Sequence, residues 1–409
     1  MRLYLKNIAH LYTPDVQAAY GTVRELRQVN LLIEDGLITA ITPSAKGASE
    51  PQADQTYDLS GRTLLPGFID AHTHPVFWKT REDEFIMRIQ GKSYEEIAAA
   101  GGGIRNSVRA FRQADKQAIK EVTRERLKPF LQFGVTTIEA KSGYGLSTAD
   151  ELKALEIINE LNDEQPLNLI PTFLGAHEVP DEYQNDRQAY VDLVCKEMIP
   201  LIAERKLARY CDVFCEEGVF TVEESRRILR TAQEYGLQAR IHADELSAFG
   251  GAELAAELGA VTADHLVKIS DAGITALAEH GVIPVLLPGT TFFLGKDQYA
   301  PARKMIEAGC AVAVSTDFNP GSSTTQNLQL MWTIAALKLK MLPGELLWAT
   351  TYIPAKSLQL HDRLGSIEIG KQADLIVLDV PNLNYLPYHY GLNHTVMTIK
   401  KGQVVYSRP

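Results

Sequence analysis

Leu64-Leu65-Pro66-Gly67-Phe68-Ile69-Asp70-Ala71-His72-Thr73-His74-Pro75-Val76-Phe77 is the stretch on which the reading of this chain turns. Its apolar first half, punctuated by Pro and Gly and ended abruptly by polar residues, reads as a buried strand. Alternate strand residues face the same way, so His72 and His74 project together from the strand's C-terminal end. Two imidazoles converging there can bind one metal ion, although alone they also read as a hydrogen-bonded pair beside a turn.

After this first run at 67–71, strand-like runs recur at 135–140, 168–174, 210–215, 238–242, 261–265, 282–287 and 311–316. Helical segments lie between them. Ser147-Thr148-Ala149-Asp150 opens one with a capping-box pattern, followed by Leu152, Leu155 and Ile158 at helical spacing. Thr221-Val222-Glu223-Glu224 opens another, and Gly236 suits its C-terminal cap. Eight strands alternating with helices predict a TIM-like (β/α)8 barrel over residues 64–364, with a doubly wound sheet as the competitor. The two ends have a different texture. VNLLIEDGLITAIT turns at Glu34-Asp35-Gly36, and TVMTIKKGQVVYS turns at Lys401-Gly402, as hairpins do. Residues 1–63 and 365–409 are therefore expected to form one small β-sandwich domain together.

Barrel active sites sit at the C-terminal ends of strands, so those ends carry the chemistry. The first ends in His72 and His74, the third at His177, and the fifth at His242-Ala243-Asp244-Glu245. The sixth ends at Asp264-His265 and the eighth at Ser315-Thr316-Asp317. Five of the ten histidines thus stand at strand ends, more than chance would place there. His72, His74, His242 and Asp317 make a three-nitrogen, one-oxygen set for one divalent metal ion per chain. Zn2+ and Fe2+ both suit it, and either lowers the pKa of a bound water to about 7.

With 41 basic and 51 acidic residues, the formal charge of -10 argues against a nucleic-acid surface. No apolar run is long enough to span a membrane, and the N-terminus lacks a signal-peptide core. Four cysteines give no disulfide framework. A soluble cytoplasmic enzyme acting on a small molecule is the expectation.

At this point the chain resembles the amidohydrolase superfamily, through PGFIDAHTH near its start and STDFNPGS near its end. Within it, the imidazolonepropionases of histidine degradation are most similar. FIDAHTHPVFWKTR (68–81), AGGGI (100–104), TTIEAKSGYGL (136–146), PTFLGAHEVP (171–180), HADEL (242–246), ADHL (263–266) and STDFNPGSS (315–323) carry the resemblance. HxH is generic to the superfamily, whereas EAKSGYGL with FLGAHEVP is the specific part.

The resemblance implies hydrolysis of the cyclic amide of 4-imidazolone-5-propionate to N-formimino-L-glutamate by a metal-bound hydroxide, and a homodimer. It implies Glu245 as general acid/base, at the spacing from His242 that related deaminases use. The alternative reading of Glu245 is a cap on the following helix. His265 would orient the water or polarise the carbonyl, and Asp317 would ligate the metal and accept the water's proton. Arg81 would take the substrate's carboxylate bidentately, where an isolated Arg is ordinarily a solvated surface residue. Tyr144 and His177 would offer neutral hydrogen-bond partners to a ring. Asn319, Gly321 and Ser322 resemble the loop for the product's carboxylate, with the Gly321 N–H and the Ser322 hydroxyl as anion donors. A simple tight turn is the alternative there.

Three signals are weak. Gly101-Gly102-Gly103 lacks any phosphate-loop pattern and is expected near the mouth of the site. Lys141 follows the second strand, not the fourth, where two-metal amidohydrolases place a bridging lysine. A mononuclear site is therefore preferred, with Glu216 left open as a second-metal bridge. Other superfamily chemistry, such as aminopyrimidine or aminopurine deamination, shares the ligand pattern. A non-catalytic scaffold conflicts with the complete ligand set.

Overall fold

The computed structural model describes residues 1–45, 49–92, 96 and 101–408. Its centre is an eight-stranded parallel sheet. The strands are β6 (Phe68–Asp70), β7 (Val135–Lys141), β8 (Asn168–Ala176), β9 (Tyr210–Cys215), β10 (Gln238–Ala243), β11 (Thr262–His265), β12 (Ile283–Leu286) and β13 (Ala313–Val314). They pair strictly in chain order, each with the next, which is the barrel the sequence predicts. Side-chain caps help to start the intervening helices. The Ser147 hydroxyl accepts the Asp150 N–H before helix Thr148–Glu164. A complete capping box joins Thr221 and Glu224 before helix Val222–Glu234. Leu155, Ile158 and Leu161 of the first helix and Ile228 and Leu229 of the second are buried in the main core.

No strand ladder joins β13 back to β6 among the described residues. Residues just beyond the strand ends close the ring instead. The Asp317 N–H donates to the His72 carbonyl at 3.1 Å, and the His74 N–H to the Phe318 carbonyl at 2.8 Å. The buried Asp70 carboxylate accepts both the Thr316 N–H (3.1 Å) and its hydroxyl (2.5 Å).

Both chain ends build a second, mixed sheet. Its strands are β1 (Arg2–Pro14), β2 (Val23–Glu34), β3 (Leu37–Pro43), β4 (Gln55–Asp58), β5 (Thr63–Pro66), β14 (Leu375–Leu378), β15 (Thr395–Lys400) and β16 (Gln403–Ser407). The order is β16-β15-β14-β5-β1-β2-β3, with β4 also on β1. Leu3, Leu5, Leu31, Ile33, Leu375 and Val377 form its own buried core. The turns fall at Asp35-Gly36 and Lys401-Gly402, where positive φ angles favour such residues.

One expectation needs correcting. Leu64 to Ile69 is not one strand but two, split at Gly67. β5 pairs with β1 and β14 of the terminal sheet, whereas β6 pairs with β7 of the barrel. A Cβ on Gly67 would lie 2.5 Å from Thr136 Cγ2, so only glycine permits the chain to change sheets this close to its neighbour. Among the described residues, no helix is long and apolar enough to cross a membrane.

Candidate active site

Four strand ends put their histidines into one cluster. The imidazole Nε2 atoms of His72 and His74 are 3.3 Å apart, and Asp317 Oδ1 lies 3.5 Å from the first and 3.4 Å from the second. Ligands held at about 2.0–2.2 Å around a tetrahedral ion lie roughly 3.3–3.5 Å from one another, so these three atoms already have the spacing of metal donors. The His242 ring completes a close trio with His72 and His74, its donor atom within 4.8 Å of theirs. All four side chains are buried.

Carboxylates behind the ring nitrogens fix which atom faces inward. His72 Nδ1 is 2.6 Å from Asp264 Oδ2, and His242 Nδ1 is 3.1 Å from Asp212 Oδ2. At His72 this carboxylate–histidine pairing sets the tautomer that leaves the other nitrogen free for a cation, whereas His242 Nδ1 lies close to Asp212 without an aligned hydrogen bond. Both carboxylates meet Lys141, whose Nζ lies 2.6 Å from Asp212, 2.8 Å from Glu139 and 3.8 Å from Asp264. Burial opposes the charge of Lys141, but these three carboxylates outweigh it and raise its pKa. Arg240, also wholly buried, stands 3.9 Å from Glu139 and donates to the Ala71 carbonyl. Burial lowers the His72 pKa well below its usual value and takes His242 down to about 4, keeping both neutral as metal donors must be. Asp317 behaves oppositely: burial pushes it up, but its hydrogen bond to His74 and the nearby His265 hold it at about 2. The Thr290 hydroxyl donates to its Oδ2 at 2.5 Å.

Glu245 and His265 stand beside this cluster, with Glu245 Oε2 3.6 Å from His265 Nδ1. Burial raises the Glu245 pKa, partly offset by His265. Glu245 does not cap the next helix. Asp244 does, accepting the N–H groups of Phe249, Gly250, Gly251 and Ala252. Glu216 is likewise occupied, accepting the Leu246 N–H and the Ser247 hydroxyl, so it steadies the loop that follows Glu245. Asp244, His265, Leu266 and Asp317 all have positive φ, between 50° and 74°. Non-glycine residues avoid that region, and the strain is concentrated where strand ends turn into the site.

A cavity of about 480 Å³ opens above the cluster and brings together the remaining predicted residues. His177 stacks on His74 at 5.2 Å between ring centroids, and its Nδ1 meets the Gly143 carbonyl at 2.9 Å. Tyr144 packs edge-on to His177 at 5.5 Å. The loop carrying Tyr144 is held from below by the buried Glu151 carboxylate, which accepts the N–H groups of Gly143, Gly145 and Leu146. Arg81 is not a solvated surface residue: its side chain is 10% exposed and donates twice to Glu84 Oε2, at 2.9 and 2.5 Å.

The loop at 319–322 differs from expectation. Asn319 Oδ1 accepts the N–H groups of both Gly321 and Ser322 at 2.8 Å, so these donors are consumed inside the turn. Gly321 contributes its missing side chain instead. A Cβ there would lie 2.2 Å from Arg81 Nη1, so the guanidinium rests directly over the glycine. Of AGGGI, Ala100 lies outside the described residues; Gly103 precedes helix Ile104–Gln113, whose Ile104 lines the cavity.

Sequence reading did not assign Asp212, Asp264, Lys141, Glu139, Arg240, Thr290, Glu84 or Arg88 to the site. A signal existed for some: Asp212 and Arg240 interrupt apolar barrel strands, where a charge needs a buried partner.

The amidohydrolase family model matches residues 63–405. Imidazolonepropionases from Alkaliphilus metalliredigens and a Geobacillus species are 44% and 45% identical, covering 99% and 98% of this chain and 98% and 97% of theirs. The Fusobacterium nucleatum imidazolonepropionase is 50% identical over 87% of this chain and 86% of its own. Among solved structures, a triazine hydrolase variant (TM-score 0.79, 19% identity, 99% of this chain and 95% of that one) shares the fold. So does the guanine deaminase of E. coli (0.75, 17%, all of both chains). With the ligand cluster, the cavity and these relatives in agreement, this chain belongs to the imidazolonepropionase family of metal-dependent amidohydrolases.

Proposed function

We propose that this chain opens the ring of 4-imidazolone-5-propionate by hydrolysis, giving N-formimino-L-glutamate in histidine degradation. The observation that carries the reading is one cavity with a metal-donor cluster on its floor and a buried arginine at its wall. His72, His74, His242 and Asp317 would hold one divalent ion, and their nitrogen–oxygen set suits Zn2+ and Fe2+ alike. Such an ion, when bound, acidifies water to a pKa of about 7 and polarises a carbonyl.

The chain's own residues supply the rest. Water adds to the ring carbonyl carbon, the bond from that carbon to the ring nitrogen breaks, and the nitrogen takes up a proton. Asp317 receives the proton of the attacking water, with Thr290 holding its Oδ2. Glu245, kept protonatable by burial, returns a proton to the departing nitrogen. His265, within reach of Glu245, steadies the carbonyl as it becomes tetrahedral. Tyr144 and His177 position the ring with neutral hydrogen bonds, and Arg81 takes the propionate above Gly321, with Asn319 and Ser322 shaping that wall.

A small molecule is then the only partner the chemistry requires. Four free, buried cysteines suit action in the cytoplasm, the net charge of -10 argues against a nucleic-acid partner, and family resemblance supports a homodimer. Deamination of an aminopyrimidine or aminopurine would use the same floor but gives Arg81 no anion to bind. The test is turnover of imidazolonepropionate generated from urocanate by urocanase. Ring loss is followed by ultraviolet absorbance and product by mass spectrometry, before and after chelation. Metal-dependent formiminoglutamate is the expected result; inactivity of metal-loaded protein overturns the proposal.

A further inference from the structure

Arg81 does not stand alone at the cavity wall. Arg81 immediately precedes helix Glu82–Ile89, and Arg88 lies in that helix's last turn, its Nη2 donating to the Gly321 carbonyl at 3.2 Å. The two guanidinium groups therefore converge on one glycine, Arg81 over its Cα and Arg88 on its carbonyl. Glu84 between them is fully used. Its Oε2 takes both Arg81 bonds and its Oε1 accepts the Gly103 N–H. Arg88 is left with no carboxylate among the described residues, and its Nη1 is buried without a hydrogen-bond partner. Its guanidinium carbon sits 5.7 Å from the centroid of the Phe293 ring, which limits where it can swing.

We propose that Arg88 is a second guanidinium for the tail carboxylate and sets the preference for an anionic over a neutral side chain; this rests on the proposed function. Glu84 neutralises Arg81, so the three side chains together leave one positive charge, the complement of a single carboxylate. Lys92 and Lys296 also line the cavity. Neither offers what Arg88 does, a planar fork held beside Arg81 through the Gly321 carbonyl. Arg88 lines the cavity and has no carboxylate of its own among the described residues, so an anion at that wall gains a charge-assisted partner that a neutral tail does not. Arg81 orients the tail, and Arg88 makes its charge matter.

The competing account is that Arg88 only props up the 319–322 loop through the Gly321 carbonyl. The two separate on ligand charge. The test uses the full-length, metal-loaded protein and calorimetric binding of imidazole-4-propionate and of its uncharged amide, imidazole-4-propionamide. Arg88→Gln should weaken the acid by ten- to thirty-fold and the amide by less than twofold. The KM for imidazolonepropionate should rise by the same factor as the acid's Kd, with kcat within twofold. Equal weakening of acid and amide, or no change in either, overturns the proposal. Should the Gln variant fail to fold, Arg88→Met, which keeps the apolar stem, is read by the same criteria. Failure of the proposed function shows elsewhere, as absent turnover in the wild type, and an acid preference that still depends on Arg88 would leave this inference standing.

Discussion

The floor of the cavity and its wall are built on different principles. On the floor, the histidines, Glu245 and Asp317 leave barrel strands within four residues of their ends, and buried carboxylates lock His72 and His242 from behind. Lys141 alone touches carboxylates from β7, β9 and β11, two of which stand behind histidines of the proposed metal site. At the wall, Arg81 precedes and Arg88 ends one eight-residue helix, and their neighbour Gly321 comes from a turn closed by its own Asn319. The floor is thus over-determined and intolerant, suited to chemistry. The wall has few ties and can be retuned, suited to choosing a substrate.

Substitutions can break that contrast, and the largest effect belongs to the floor. Glu245→Gln should keep its metal, measured by elemental analysis, yet lose about 10²–10⁴ in kcat, the usual worth of a positioned acid/base. A rate near wild type would remove Glu245 from the mechanism. Lys141→Met should weaken metal binding by about 10–100-fold, the common cost of disturbing groups behind the ligands. Competition with a chromophoric chelator reads this directly, and an unchanged affinity would show that Asp212 and Asp264 hold without their cation. At the wall, Arg81→Ala should raise KM by about ten-fold or more, as loss of a charge-assisted bond does, with a smaller change in kcat. A fall in kcat alone would place Arg81 with the floor.

The gentlest test is pH on the metal-free protein. His72 and His242 have folded pKa values below the ordinary 6.5, the latter at about 4. Between those values the unfolded chain binds protons that the folded one refuses. Through these two groups stability falls as pH drops from about 6.5 towards 4, by at most about 1.4 kcal/mol per pH unit for each, while buried Asp70, raised to about 7, and Asp264, raised to about 6, act in the opposite sense. Urea midpoints at pH 7 and pH 5 measure it. The difference between wild type and His242→Asn isolates the histidine share, and an identical pH dependence in the two would mean that His242 is already charged when folded.

The same contrast governs what could be read from the sequence. Barrel strands were legible because buried parallel strands are short apolar runs bounded by turn residues. Histidines at their ends were legible because the fold gives that position meaning. The network behind them was not, since Lys141, Asp212, Arg240 and Asp264 come from four strands and only the lateral register brings them together. Arg88 was hidden differently. REDEFIMRIQ has the look of a solvated amphipathic helix, and nothing local says that its charged face looks into a cavity. The Asn319 turn was half legible: its residues marked a tight loop, but which acceptor used the Gly321 N–H depended on a side-chain rotamer.

The ring of barrel strands has a seam, and it runs through the proposed reaction centre. Where β13 should pair with β6, the backbone atoms of His72, His74, Asp317 and Phe318 join the edges instead. For laboratory evolution this removes a freedom most enzymes have. Catalytic residues can usually be exchanged at little cost to assembly, because the scaffold closes elsewhere. Here a library that varies the 71–74 and 315–318 segments samples barrel closure and catalysis at once, and will return few inactive clones that are still well folded.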